Sequence, residues 1–69
     1  SIMFELFSAA VKNGFTDLTL HRIPSGWQAR SRWHSSTGWR VIIDRDMETA
    51  IRGALKTHAE SADNAEDLV

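Results

Sequence analysis

The stretch WQARSRWHSSTGWR, residues 27–40, decides the fold of this 69-residue chain. It contains all three tryptophans, and apolar residues alternate with polar ones on each side of the polar run 34–38. A period of two is typical of β-strands with one apolar and one polar face, and a short polar run between two such segments is typical of a turn. The stretch and its continuation therefore predict a hairpin, with strands over residues 27–33 and 39–44.

A third strand is predicted immediately before this hairpin. Leu18 and Leu20 alternate with polar residues in the segment 16–23, and Pro24-Ser25-Gly26 is a turn signal. Because both turns are short, the three strands are expected to form an antiparallel meander.

A helix is predicted on each side of the meander. Apolar residues recur at three- and four-residue spacing over residues 2–12, and Asn13-Gly14 is suited to stop that helix. Asp46 is suited to cap a last helix over residues 46–59, in which Gly53 allows close approach to the sheet. The expected fold class is α+β: a three-stranded antiparallel β-meander in the order α-β-β-β-α, with both helices packed on one face.

Length and charge divide the chain into a body and a tail. A chain of this size forms one domain, which we assign to residues 1–59, while residues 60–69 are expected to form a flexible acidic tail. The tail has a net charge of −4 and the body one of +3, which add to the chain's −1. The tail either keeps the protein soluble or competes with a polyanionic ligand for the basic face of the body.

Several classes of function lack their sequence signatures. The chain has no cysteine, which removes disulfides and thiolate metal sites and fits the reducing cytoplasm. His21, His34 and His58 are not at metal-ligand spacing, and the four glycines form no phosphate-binding loop. No apolar run approaches the ~20 residues of a membrane span, and the first residues lack the basic region of a secretory signal. We therefore expect a cytoplasmic protein that is not an enzyme and has no catalytic residues, metal site or cofactor.

The alternation also predicts which side chains share a face of the sheet. Across the first turn, we expect Leu20 opposite Ala29. Across the second turn, we expect Trp33 opposite Trp39, and that register aligns Ile43 with Ala29. One face is then apolar, carries the helices and has the tryptophans in its core or at its rim. The other face is expected to hold Asp17, Thr19, His21, Gln28, Arg30, Arg32, Arg40, Ile42 and Asp44.

The basic face contains the candidate binding residues. Arg30, Arg32 and Arg40 suit phosphates and carboxylates, because a guanidinium donates two parallel hydrogen bonds to either group. His21 and Gln28 lie beside them in the expected register. Arg32 opposite Arg40 is a like-charge pair, which an anionic partner would relieve.

Two further readings concern the same region. The basic face is alternatively a solvated sheet surface, on which Asp17 and Asp44 supply partial pairing to the arginines. Trp27 lies near a strand end and is a further binding candidate, because tryptophan is enriched among the residues that dominate protein interfaces.

A longer pattern runs through nearly all of residues 2–56. A helix and the segment FTDLTL precede a strand beginning GWQA and a strand beginning GWRV, and an Asp-initiated helix ending in Ala-Leu follows. This pattern resembles short uncharacterised proteins encoded by phages and prophages of Gram-negative bacteria. The residues that carry the resemblance determine fold, so it transfers no functional residues. It implies stoichiometric binding to a host component, as in inhibitors of CRISPR surveillance complexes.

Three functional hypotheses follow. The leading one is a non-catalytic phage or prophage protein that masks a host protein or protein–nucleic-acid complex in the host cytoplasm, for example as an anti-CRISPR inhibitor. The second is a nucleic-acid-binding module that uses the basic face. The third is a homodimeric structural or assembly protein that associates through the first helix, whose broad apolar surface includes Ile2 and Phe4. None of the three involves a membrane.

Overall fold

The computed structural model describes residues 2–57. It contains, in chain order, helix α1 (Ile2–Lys12), strands β1 (Phe15–Ile23), β2 (Gly26–Trp33) and β3 (Arg40–Asp44), and helix α2 (Met47–Leu55). The strands form one antiparallel sheet in the order β1-β2-β3. The predicted α+β fold, with the element order α-β-β-β-α, is therefore confirmed. The predicted acidic tail, residues 60–69, lies outside the described residues.

Helix α1 spans the residues that its apolar periodicity predicts. Met3, Leu6 and Phe7 lie on the inner face of the helix with the fully buried Ala10. Gly14 follows the helix with a φ of 96°, in the left-handed region that favours glycine. This conformation ends α1 and turns the chain directly into β1.

The register between β1 and β2 is the predicted one, with Leu20 opposite Ala29. The turn between these strands is closed by Ile23 opposite Gly26. Gly26 has a φ of 140°, and a Cβ at this position would collide with the carbonyl oxygen of Asp44. Only glycine therefore fits where the first turn passes the end of β3.

The register between β2 and β3 differs from the predicted one by one residue. Ala29 lies opposite Ile42 instead of Ile43, and Ser31 lies opposite Arg40. Because side chains alternate along a strand, a shift by one residue moves every β3 side chain to the other face of the sheet. The predicted faces of the third strand are therefore wrong.

The corrected register gives the sheet a covered face, on which both helices pack, and an open face. Arg40 and Ile42 lie on the covered face. Trp39, which immediately precedes β3, lies on the open face with Val41 and Ile43. These three side chains are 36%, 48% and 58% exposed, respectively. The prediction that Trp39 lies on the helix-covered face, in its core or at its rim, is wrong.

The core on the covered face consists of two clusters. Trp33, only 3% exposed, joins residues of both helices in the first cluster, together with Leu55. The second cluster packs Ala29 of β2 against Ala50 and Ala54 of α2. All three alanines are fully buried, so their small side chains allow α2 to lie close to the sheet. The predicted core position of Trp33 is confirmed.

Helix α2 begins with the predicted cap. The Asp46 side chain accepts a hydrogen bond from the Thr49 backbone N–H at 2.9 Å, which satisfies one of the donors left free at the start of a helix. Farther along the helix, a Cβ at Gly53 would lie 3.0 Å from Cγ2 of Ile42. Glycine at this position therefore permits the close approach of α2 to β3 that the sequence suggested.

Helix α2 ends at Leu55, earlier than predicted. Lys56 has a ψ of 135° and leaves the helical conformation, so the predicted continuation to residue 59 is wrong at residues 56 and 57. Arg40 supplies the physical reason, because its guanidinium satisfies carbonyls at the end of the helix. Its Nη1 atom donates to the carbonyl oxygens of Gly53 at 3.1 Å, Ala54 at 3.3 Å and Lys56 at 2.6 Å.

Candidate functional site

The open face of the sheet is the candidate functional site. Both helices pack on the covered face, so no element within residues 2–57 lies over the open one. Strand pairing places Thr19, Arg30 and Val41 in one row across the sheet, and His21, Gln28 and Ile43 in the next. Asp17, Arg32 and Trp39 extend the open face toward the second turn.

An arginine–tryptophan cluster, formed by Arg30, Arg32 and Trp39, lies at one end of the open face. The Cζ atoms of Arg30 and Arg32 are 4.7 and 5.2 Å from the centroid of the Trp39 ring. Both distances are within the ~6 Å range of cation–π attraction. Arg30 is held further by a hydrogen bond from its Nε to the Thr19 hydroxyl oxygen at 3.1 Å. The indole ring thus lies beside two cations, and the hydrogen bond to Thr19 holds Arg30 in place.

The arginines of this cluster form no ion pair with a carboxylate of residues 2–57. Within that range the ion pair present is Glu48–Arg52, on α2. Asp17 is opposite Arg32 in the strand pairing but forms no ion pair with it, and its Oδ2 accepts a hydrogen bond from the Thr16 hydroxyl at 2.8 Å. Two like charges on one aromatic ring repel each other, and an anionic group bound between them would lower that repulsion.

The other half of the open face combines aliphatic and polar side chains and contains, within residues 2–57, no arginine and no carboxylate. Val41 and Ile43 are exposed on the edge strand β3, and His21 and Gln28 pair in register with Ile43 across the sheet. Tryptophan and arginine are enriched and lysine is depleted at the centre of protein interfaces, and here exposed aliphatic side chains adjoin such a pair of residue types. The face therefore combines an apolar strip of Val41 and Ile43 with a cationic end.

Four of the six predicted binding residues lie together on the open face, as expected: Arg30, Arg32, His21 and Gln28. Arg40 does not, and the predicted like-charge pair of Arg32 and Arg40 across the strands is wrong. Arg40 lies on the covered face, with its Cζ 4.8 Å from the centroid of the Trp33 ring. Burial lowers the pKa of its guanidinium from the ordinary value, although an arginine remains protonated at neutral pH. In the structure, Arg40 belongs to β3 and its side chain stabilises the end of α2.

Trp27, the sixth candidate, lies on the covered face, where the alternation placed it. It is half-buried and packs against the cluster of Ala29, Ala50 and Ala54. The Cζ atom of Arg22 is 5.9 Å from the centroid of its ring. Its contribution to an interface stays a prediction, and it is separated by the sheet from the arginine–tryptophan cluster.

Sequence reasoning missed three residues of this site, namely Trp39, Val41 and Ile43. Each is apolar, and the register predicted from the sequence places each on the face that carries the helices. The signal that would have corrected the register is Arg40, whose guanidinium reaches the end of α2. This hydrogen bond joins Arg40 to Lys56, which is 16 residues later in the chain. The sequence around Arg40 therefore does not indicate it.

An open depression of about 440 Å³ adjoins the cluster at the second turn. Its polar lining includes Arg32 and the side chains or backbone of the following residues: Thr16, Asp17, Trp33, His34, Ser36, Thr37 and Gly38. The backbone N–H of His34 donates to the carbonyl oxygen of Gly14 at 2.7 Å, which ties this turn to the end of α1. The depression extends the polar surface available beside Arg32.

Neither the geometry of residues 2–57 nor comparison with known proteins assigns a further function to the chain. Within residues 2–57, no three His, Asp or Glu side chains converge as metal ligands would. Neither α1 nor α2 has the length and apolarity to cross a membrane. Comparison of the chain with protein-family models, with curated proteins and with solved structures gave no match in any of the three.

Proposed function

We propose that this protein is a small non-catalytic binding protein that masks a host target by stoichiometric binding through its open face. Its mode of action would be that of the phage- and prophage-encoded proteins that its sequence pattern resembles. The target would be a host protein or protein–nucleic-acid complex in the cytoplasm, such as a CRISPR surveillance complex. Occlusion of the target requires no chemistry from the protein itself.

The observation that carries this proposal is the composition of the open face. Two guanidiniums, free of ion pairs to any carboxylate of residues 2–57, flank an exposed indole ring. The adjacent Val41 and Ile43 expose 48% and 58% of their surface. A solvated sheet face is normally polar, so exposed aliphatic residues next to Trp39 favour a surface that a partner covers.

A second candidate, binding of nucleic acid, is favoured by the position of Trp39. A base can stack on an indole ring while neighbouring arginines contact the phosphates, and this requires ring and arginines on the same face. Trp39 meets that condition with Arg30 and Arg32. The candidate ranks second because the rest of the open face offers Val41 and Ile43 where a nucleic-acid groove would continue with basic residues.

The homodimer hypothesis concerns a surface of α1 that is separate from the open face. Ile2, Phe4 and Val11 of α1 are 60%, 70% and 60% exposed and lie away from the open face. Their exposure is compatible with self-association, which would leave the open face available for a target.

Affinity capture from a Gram-negative host lysate tests the proposed site. The bait proteins are the wild type, the open-face variant Arg30→Glu/Arg32→Glu, and the matched control Lys12→Glu/Arg45→Glu. The two variants change the charge equally, but Lys12 and Arg45 are exposed residues outside the open face. A host target recovered in equimolar amount by wild type and control, and lost by the open-face variant, is the expected result.

The apolar half of the open face is tested with the variant Ile43→Ser, and Met47→Ser is its matched control. Both side chains are exposed, at 58% and 43%, but Met47 is on α2. Capture is expected to fall at least tenfold for Ile43→Ser and to stay unchanged for Met47→Ser. Equal capture by the open-face variants and the wild type contradicts the proposal. Salt-dependent binding of labelled single-stranded oligonucleotides, lost in Arg30→Glu/Arg32→Glu, would instead establish the second candidate.

A further inference from the structure

The arginine–tryptophan cluster leaves two positive charges without a carboxylate partner in residues 2–57, while the carboxylates of the chain concentrate beyond them. Residues 60–69 read ESADNAEDLV and include four acidic residues and no basic one. The acidic side chains are Glu60, Asp63, Glu66 and Asp67. The charge of the segment is thus complementary to the one cationic cluster that the open face presents.

The described chain ends close to this cluster. Helix α2 follows β3 and runs back along it, so its end lies beside the beginning of β3. The carbonyl oxygen of Lys56 accepts a hydrogen bond of 2.6 Å from Arg40, the residue that directly follows Trp39. The chain therefore leaves α2 at the same end of the sheet as Trp39, on the covered side of the edge strand β3.

We propose that residues 60–69 dock on the arginine–tryptophan cluster as an acidic peptide and compete there with any external partner of the open face. The carboxylates pair with the guanidiniums of Arg30 and Arg32, whose planar donors suit carboxylates in bidentate geometry. The aliphatic end of the segment, Leu68 and Val69, then faces the apolar strip of Val41 and Ile43.

Chain length permits this contact. A fully extended chain covers about 3.3–3.6 Å per residue, so Glu60 can reach about 13 Å from Lys56 and Asp63 about 23 Å. The twelve residues after Thr57 span about 40 Å when extended, which exceeds the longest dimension of the molecule, 31 Å. Strand β3 is at the edge of the sheet, so a segment passing around it meets no further strand of the described fold.

The energetic consequence is a local competition. A tethered segment is present near the cluster at an effective concentration in the millimolar range, so even weak ion pairing keeps the cluster partly occupied. A partner must displace the segment, and a more acidic or better fitting partner is thereby selected. This selective role rests on the proposed function of the open face, whereas the docking of residues 60–69 does not.

Paramagnetic relaxation on the full chain tests the docking directly. The chain has no cysteine, so Ala65→Cys provides one site for a nitroxide label within the acidic segment. Broadening is read at the Nε–Hε signals of Arg30 and Arg32, at the indole N–H of Trp39, and at control amides of Ala9 and Lys12 in α1. Spectra at low salt and at high salt separate ion pairing from tethering, because salt screens exposed charges.

Docking predicts that broadening at low salt is strongest at the three cluster signals. This broadening should fall at least threefold at high salt. It should fall by the same factor at low salt in the variant that carries Glu60→Gln, Asp63→Asn, Glu66→Gln and Asp67→Asn. The control variant Lys12→Gln/Arg45→Gln, which removes two charges outside the cluster, should leave the broadening of the cluster signals and of the Ala9 amide unchanged. Broadening that is uniform, strongest on α1 or indifferent to these charge changes would overturn the inference.

The two proposals fail separately. If the cluster signals broaden as expected but Arg30→Glu/Arg32→Glu captures the same host target as the wild type, the proposed function fails and the docking stands. If capture depends on the open face but the label broadens no cluster signal, the docking fails and the proposed function stands.

Discussion

Arg40 shows how one residue directs the use of a whole surface. Its guanidinium lies over the Trp33 ring and donates to three carbonyl oxygens at the end of α2. A cation at this position also interacts favourably with the negative end of the helix dipole. By holding β3 in its register, Arg40 places its neighbours Trp39 and Val41 on the open face. An arginine that the sequence presented as a ligand contact is thus a structural one.

Replacing Arg40 tests this role through stability. Arg40→Met keeps an unbranched apolar stem over Trp33 but removes the donors to the helix carbonyls. We expect the free energy of unfolding to fall by about 2 kcal/mol, because hydrogen bonds to charged groups contribute about 1.5–3 kcal/mol and Arg40 is half-buried. Urea denaturation measures the difference. The exposed Arg45→Met is the matched control, expected within about 0.5 kcal/mol of wild type; an equal loss in both variants would contradict the assigned role.

At the scale of elements, helix α2 depends on a titratable cap at its start. The Thr49 hydroxyl donates to Asp46 Oδ2 at 2.7 Å, and the Thr49 backbone N–H donates to the same oxygen at 2.9 Å. These two hydrogen bonds, the hydroxyl one foremost, lower the pKa of the Asp46 carboxyl. A lowered pKa in the folded protein means that the cap stabilises the ionised form. The stabilisation is present above the unfolded value of about 3.9 and is lost as pH falls through the folded value.

The pH dependence of Asp46 variants follows from that sign. Asp46→Ala should have a lower Tm than the wild type at pH 7, and the gap should narrow as pH falls below about 4. Asp46→Asn is the control, because asparagine caps helices comparably but does not titrate. Calorimetry between pH 7 and pH 2.5 measures all three proteins. A gap between wild type and Asp46→Ala that stays constant with pH would show that the carboxylate does not act as this cap.

The two hairpins explain how far the fold could be predicted. The first turn is short and contains Pro24 and Gly26, so it fixes the register of β1 and β2, and Leu20 pairs with Ala29 as expected. The connection before β3 is longer and tolerates a shift of one residue. Residues 41–43 are all apolar, so either register buries an aliphatic side chain and the alternation of β3 does not decide between them.

The sequence predicts the positions of the site residues correctly only on the strands whose register it also predicts correctly. Arg30, Arg32, His21 and Gln28 belong to the two strands whose register was predicted correctly, and all four lie on the open face. Trp39 was misplaced together with β3. Its position depends on the contact between Arg40 and α2, which forms only when the last helix packs.

For the whole molecule, the result is a sheet with two different faces. The covered face supports both helices through Trp33 and the small residues that α2 brings against β2. The open face brings an indole ring and two guanidiniums together beside an exposed aliphatic strip. The basic body and the acidic segment 60–69 carry opposite charge, which makes the open face selective toward its partners if the segment docks there.

The register of β2 and β3 is the claim on which this division depends. Nuclear Overhauser effects between the strands measure it without a partner or a substitution. We predict cross-strand contacts between Ala29 and Ile42 and between Ser31 and Arg40, with Ile42 methyl signals also contacting Gly53 of α2. Side-chain contacts between the Ala29 methyl and the Ile43 methyls would contradict this register, which places these two side chains on opposite faces of the sheet. They would return Arg40 to the open face and remove Trp39 from it.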